Sequence, residues 1–171
     1  KTEKQFSILF FIVVLLELLT GSTESLITVH YIAKPAIVIS LILLFTKTSE
    51  SLSKPIRRLT LLALVFSLLG DVLLMFVDKS SHFFTLGLLA FLIAHVMYIL
   101  LFLKHRHKDN SPYGFIILLL VYGASLFYFL KDNLGVMLIP VIIYMAAILS
   151  MATTAYLRKG KVNVLSYGFV F

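Results

Sequence analysis

The chain has 171 residues, of which 60% are hydrophobic and 13% charged, with a formal net charge of +7. Its mean hydropathy is +1.03. A soluble domain is about half apolar and a quarter charged, so this composition excludes an ordinary soluble globule and points to a membrane protein. Cysteine is absent, which excludes disulfides and thiolate metal sites.

In chain order, apolar runs predict membrane helices over 6–20, 26–46, 59–77, 83–103, 112–130 and 134–157, with a seventh starting near Val162. Runs of about 17–25 residues suffice to cross a hydrocarbon core of roughly 30 Å at about 1.5 Å per residue. The first, "FSILFFIVVLLELLT", is short and follows "KTEKQ", like a signal peptide. Glu17 interrupts its apolar end, and "TGSTES" is a weak cleavage-like site, so it is read as a helix. Strands of an outer-membrane barrel would alternate polar and apolar residues, and "LTLLALVFSLLGDVLLMFV" does not alternate.

The basic residues sort along these runs. The N-terminus and the second, fourth and sixth loops hold twelve Lys and Arg, the intervening loops two, Lys79 and Lys131, and Lys34 lies within a span. Such sorting marks the cytoplasmic side and predicts a cytoplasmic N-terminus. Basic loops facing anionic headgroups account for the net charge, so no nucleic acid is needed. The chain reads as a single integral membrane domain, 1–171, all-α and polytopic. It starts with Lys and ends at "SYGFVF", about ten residues into the seventh run. A terminal carboxylate in hydrocarbon is costly, so the natural protein is expected to continue through this helix and an eighth.

Within the third run, "FSLLGDVLLM" sets Asp71 among apolar residues. Asp71 lies roughly 4.5 Å beyond the centre of its span, Lys34 and His95 about 3 Å from the centres of theirs, and Tyr144 close to the centre of the sixth. Ionisable groups at such depth cost roughly 2.5–3.5 kcal/mol on insertion scales and face a bundle interior or cavity, so they mark a candidate site. Gly87, Phe91, His95, Tyr98 and Phe102 share one helical face, as do Ser67 with Asp71 and His30 with Lys34.

Each of these residues also has a structural reading. Lys34 and Asp71 can be an ion pair holding two helices, His95 and Tyr98 a hydrogen-bonded pair, and Tyr144 a packed ring with a satisfied hydroxyl. Glu17, three residues from the end of its span, is placed near the outer headgroups. His82, His105 and His107 read as solvated, and "SHFF" and "LFYFL" as interface belt and lipid-facing surface. HExxH, GxSxG and glycine-rich phosphate motifs are absent. Asp71, His95, His30 or Glu17 could in principle ligate a metal, but spacing gives this little support and no metal or other cofactor is expected.

"YIAKP", "FSLLGDVLLM", "LGLLAFLIAHVMYILLF" and "PVIIYMAAILSM", in this order, resemble the YhhN family of multi-pass membrane proteins, whose animal members are lysoplasmalogenases. The resemblance covers 31–171 and implies eight helices, with a further Ser-Asp pair in the seventh that this chain stops short of. It carries over to Lys34, Gly70, Asp71, His95, Tyr98 and Tyr144. The reaction it implies is hydrolysis of the vinyl ether bond of a lysoplasmalogen, giving a fatty aldehyde and glycerophosphoethanolamine or glycerophosphocholine.

That chemistry needs an acid to protonate the alkene carbon and a base to activate water. A desolvated carboxyl can stay protonated near neutral pH, and a second carboxylate nearby separates the two roles. The expectation is that Asp71 takes one role and an aspartate beyond Phe171 the other. His95 or Tyr144 would orient water or substrate, and Lys34, Ser67, Gly70 and Tyr98 would line the binding site. Lys34 would either pair with Asp71 or bind the phosphate. The expected partners are a lysophospholipid and the bilayer, with no protein partner, and the expected location is a bacterial cytoplasmic membrane. The competing class is a lipid-binding protein or proton-coupled transporter that uses Lys34, Asp71 and His95 without hydrolysis.

Overall fold

The protein is described here by a computed structural model covering residues 10–12, 14–15, 17–18, 27–50, 52–104 and 112–157. Five helices are bounded at both ends: α1 Ile27–Thr48, α2 Lys54–Leu74, α3 Ser81–Leu103, α4 Tyr113–Leu134 and α5 Leu138–Tyr156. The described residues between 10 and 18 are helical too, and no strand occurs among the described residues. At about 1.5 Å per residue, helices of 19–23 residues are roughly 28–35 Å long, the thickness of a bilayer core.

The expectation of seven visible spans and an eighth is corrected by this structure. Among the described residues three stretches are long and apolar enough to cross a membrane: Tyr31–Thr48, Ser81–Leu103 and Tyr113–Tyr156. Two physical reasons account for the difference. α2 begins at Lys54, five residues before the predicted start, and so takes in Lys54, Arg57 and Arg58 in addition to Asp71. Predicted spans at 112–130 and 134–157, with only Lys131-Asp132-Asn133 between them, fall within one apolar stretch of 44 residues. The seventh predicted span lies outside the described residues, as do much of the first and half of the fourteen basic residues that carry the orientation argument.

The 44-residue stretch is folded back on itself. Gly135, at φ 47°, occupies a conformation that side-chain-bearing residues rarely adopt, and a short 3-10 turn, Gly135–Met137, leads into α5. The ring of Phe115 at the start of α4 stacks on that of Tyr156 at the end of α5, centroids 4.5 Å apart, so the pair is an antiparallel hairpin. Ile117, Leu118, Val121 and Phe129 of α4 stand exposed, as residues facing acyl chains would.

α1 and α2 are antiparallel as well. Near one end the Tyr31 hydroxyl donates to the Met75 carbonyl at 3.3 Å; near the other, Arg57 Nη2 donates to the Thr46 carbonyl at 3.3 Å. α1 continues through Pro35, which has no N–H to offer the Tyr31 carbonyl one turn earlier.

The closest packing lies between α2 and α3. Ala63, Ala94, Tyr98, Leu101 and Phe102 form the buried core, with Met151 and Ala155 of α5 laid against it. Small residues let the helix backbones approach, the usual basis of helix association where lipid tails are as apolar as leucine. A Cβ built on Gly70 would lie 2.6 Å from Cδ2 and Cε2 of Phe91, and one on Gly87 2.7 Å from Leu74. The Gly70 carbonyl oxygen is 3.4 Å from that same point on Gly87, so the two glycines mark the crossing.

Candidate functional site

Just past this crossing α2 presents Asp71, half-buried one residue after Gly70. The antiparallel register of α1 and α2 brings Lys34 to the same level: Lys34 is three residues after Tyr31, and Asp71 four before Met75. The charge of Lys34 acts on Asp71, and so does that of Glu17. Asp71 acts in turn on the Tyr144 hydroxyl. Groups from the N-terminal helical segment, α1, α2 and α5 are therefore coupled electrostatically to one another through one carboxyl.

Glu17, expected near the headgroup level, is half-buried on its helix. Phe10, Val14 and Glu17 follow at steps of four and three and are all half-buried, while Phe11, Ile12, Leu15 and Leu18 are exposed. That helical spacing is the signal the sequence offers. The second carboxylate expected beyond Phe171 lies outside the described residues; Glu17 is a second carboxylate within this chain.

α3 contributes His95. Its Nδ1 hydrogen-bonds the Phe91 carbonyl one turn back. A carbonyl only accepts, so Nδ1 carries the proton in this arrangement and Nε2 of the neutral ring is left as an acceptor. The imidazole meets the Tyr144 ring edge to face, with centroids 5.3 Å apart and an interplanar angle of 82°, and the Phe91 ring at 6.5 Å. Phe91 thus holds His95 from both its carbonyl and its ring, and Gly70 makes room for that ring.

The remaining predicted residues fall into place around this centre. Ser67 donates to the Ala63 carbonyl at 3.0 Å, and its hydroxyl acts on that of Tyr98 across the α2–α3 interface. His95 takes the Phe91 carbonyl as its hydrogen-bond partner. Tyr98 is buried, 8% exposed, and its ring stacks on that of Phe102, so it belongs to the core beside the site. Of the predicted face on α3, Gly87, Tyr98 and Phe102 are buried and Phe91 and His95 half-buried. His82 is exposed; the His30 side chain, His105 and His107 lie outside the described residues. Among the described residues no three His, Asp or Glu side chains gather as metal ligands.

What this arrangement can do chemically follows from its inventory. Two carboxyl groups and one ammonium share a half-buried site, and an imidazole with an acceptor nitrogen stands beside a phenol on the opposite wall. Such a site can hold a proton on a carboxyl, accept one from water and face a lipid chain along the apolar helices.

A family model described as the YhhN family matches residues 29–170, most of the chain. No curated protein and no solved structure matches. The three long apolar stretches and the family together make this a membrane protein. It belongs to the YhhN family.

Proposed function

We propose that the protein is a lysoplasmalogenase-like hydrolase, crossing a bacterial cytoplasmic membrane more than once, that cleaves the vinyl ether bond of a lysophospholipid. Family membership supports this reading. The observation that carries it is the electrostatic coupling of Asp71 to Lys34, Glu17 and Tyr144, with His95 against the Tyr144 ring.

The reaction starts with proton transfer from a carboxyl group to the alkene carbon, which leaves an oxocarbenium ion. Water adds to that ion and gives up a proton to a base; the hemiacetal collapses to a fatty aldehyde and the glycerol hydroxyl. Asp71 and Glu17 supply the two carboxyl groups, one able to donate while the other is ionised. Nε2 of His95, left as an acceptor by the Phe91 contact, orients the water, and the Tyr144 hydroxyl holds the ether oxygen or that water. Lys34 balances the carboxylate charge or binds the substrate phosphate. Ser67, Gly70 and Tyr98 shape the wall.

The test is aldehyde release by the purified protein from a lysoplasmalogen, beside an ester-linked lysolipid, for wild type and Asp71→Asn. Release specific to the vinyl ether, reduced about 10²–10⁴-fold in a folded Asp71→Asn variant, is the expected result. Binding of the lipid by wild type without any aldehyde would replace the hydrolase with the lipid-binding or transport reading.

A further inference from the structure

One helical turn beyond Asp71, three aromatic rings from three elements converge. Phe76 follows α2, Tyr31 comes from α1 and Phe83 from the first turn of α3. The Tyr31 and Phe76 rings stack with centroids 6.0 Å apart and an interplanar angle of 18°, and Phe83 tilts against Phe76 at 5.9 Å. Tyr31 is held in place by its hydroxyl on the Met75 carbonyl. All three residues are half-buried, so the cluster has an open side. A cation already sits there: the Lys79 ammonium lies 4.8 Å from the centroid of Phe76. Lys79 and its neighbour Asp78 are exposed.

We propose that this cluster is the seat of the substrate's ammonium headgroup, with Phe76 as its floor and Lys79 occupying the place when substrate is absent. The proposal rests on the lysophospholipid reading above. An aromatic face attracts cations through its quadrupole, and quaternary ammonium groups are the ligands most often bound this way. Lys79 is a weak tenant, because its compact ammonium is strongly hydrated and its four-carbon stem is flexible. Asp78, in the same turn, adds negative charge near the seat.

The register agrees with the size of the ligand. Five residues separate Asp71 from Phe76, roughly 7–8 Å along a helix. About ten bonds of about 1.5 Å each separate the vinyl ether carbon from the nitrogen of a glycerophosphocholine, so a bent headgroup spans the distance. With the nitrogen on Phe76, the vinyl ether lies level with Asp71 and the phosphate falls between, towards Lys34 on the neighbouring helix.

The experiment is native mass spectrometry of the purified protein with lysophosphatidylcholine and with lysophosphatidic acid of the same chain, for wild type, Phe76→Leu and Lys79→Met. Phe76→Leu retains apolar bulk and removes the π face; it should weaken the choline lipid about three- to thirtyfold and leave lysophosphatidic acid unchanged, which also certifies its folding. Lys79→Met removes the competing cation and should strengthen the choline lipid alone. Equal losses for both lipids in Phe76→Leu, or no loss for either, would overturn the proposal. Aldehyde release is measured in parallel on the choline vinyl ether lipid. A choline preference without release retains the seat and removes the hydrolase; release without a choline preference does the reverse.

Discussion

Gly70→Ala tests the helix crossing and the site together. The new Cβ would lie 2.6 Å from two ring carbons of Phe91 and 2.9 Å from Cγ, against about 3.5–4.0 Å for an ordinary carbon contact. Spinning the ring about its own axis cannot relieve this, because Cγ lies on that axis. The side chain must change its first torsion or the helices must separate by about 1 Å. Overpacking of this kind costs about 1–3 kcal/mol, and the gain in helix propensity from Gly to Ala returns about 1 kcal/mol, so a net loss of up to about 2 kcal/mol is expected. For a chain of this length each kcal/mol moves the midpoint by about 2–4 °C. The chain has neither Trp nor Cys, so the apparent midpoint is best followed by circular dichroism in detergent. Because Phe91 also holds His95, aldehyde release should fall by more than the loss of folded protein accounts for. The double variant Gly70→Ala/Phe91→Leu should recover stability but not activity. A single variant as stable and active as wild type would refute both the close contact and the part given to Phe91.

Removing the Tyr98 hydroxyl in Tyr98→Phe should cost about 0.5–1.5 kcal/mol, and the same change made in a Ser67→Ala background should cost clearly less; additive losses would show that the two hydroxyls do not interact. Lys34→Met leaves the carboxyl groups without their cation. With the group half-buried, the cost should fall between the roughly 0–1 kcal/mol of exposed pairs and the roughly 3–5 kcal/mol of buried ones. Adding Asp71→Asn should restore part of that stability, and failure to do so in thermal melts would remove Lys34 from the site. Gly135→Ala places a Cβ at φ 47° and ψ −124°, outside the left-handed α well that Asn tolerates, and should lower the melting midpoint by the equivalent of about 1–3 kcal/mol, with Gly135→Asn no milder; equal midpoints for Gly, Asn and Ala would argue against this backbone conformation.

The helices themselves are legible in the hydropathy of the chain. Predicted runs at 26–46, 83–103 and 112–130 correspond to α1, α3 and α4 within a few residues, because in lipid a long apolar segment must satisfy its backbone hydrogen bonds internally and so forms a helix. Asp71, Lys34, His95 and Tyr144 stand out for a related reason: a polar group set in an apolar run needs a partner, and the run cannot supply one. Hydropathy misjudges the number of membrane-crossing stretches where composition alone has to place helix ends. The break between the runs at 112–130 and 134–157, at Lys131-Asp132-Asn133, does mark the hairpin, whereas the basic start of α2 hides where that helix begins.

Which polar residues meet is a different kind of fact. Hydropathy and 3.6 residues per turn are enough to specify a helical membrane protein, a face of α3 that carries Phe91, His95 and Tyr98, and a carboxyl in the apolar part of α2. Neither quantity says that Glu17 acts on Asp71, that the Ser67 hydroxyl acts on Tyr98 while His95 takes the Phe91 carbonyl, or that Phe91 fills the space over Gly70; these are consequences of helix packing. Periodicity fixes a residue's angle on its own helix. Its partner depends on how far neighbouring helices slide and rotate against one another, and here that is set by the contact of Gly70 and Gly87, where two missing side chains let α2 and α3 close.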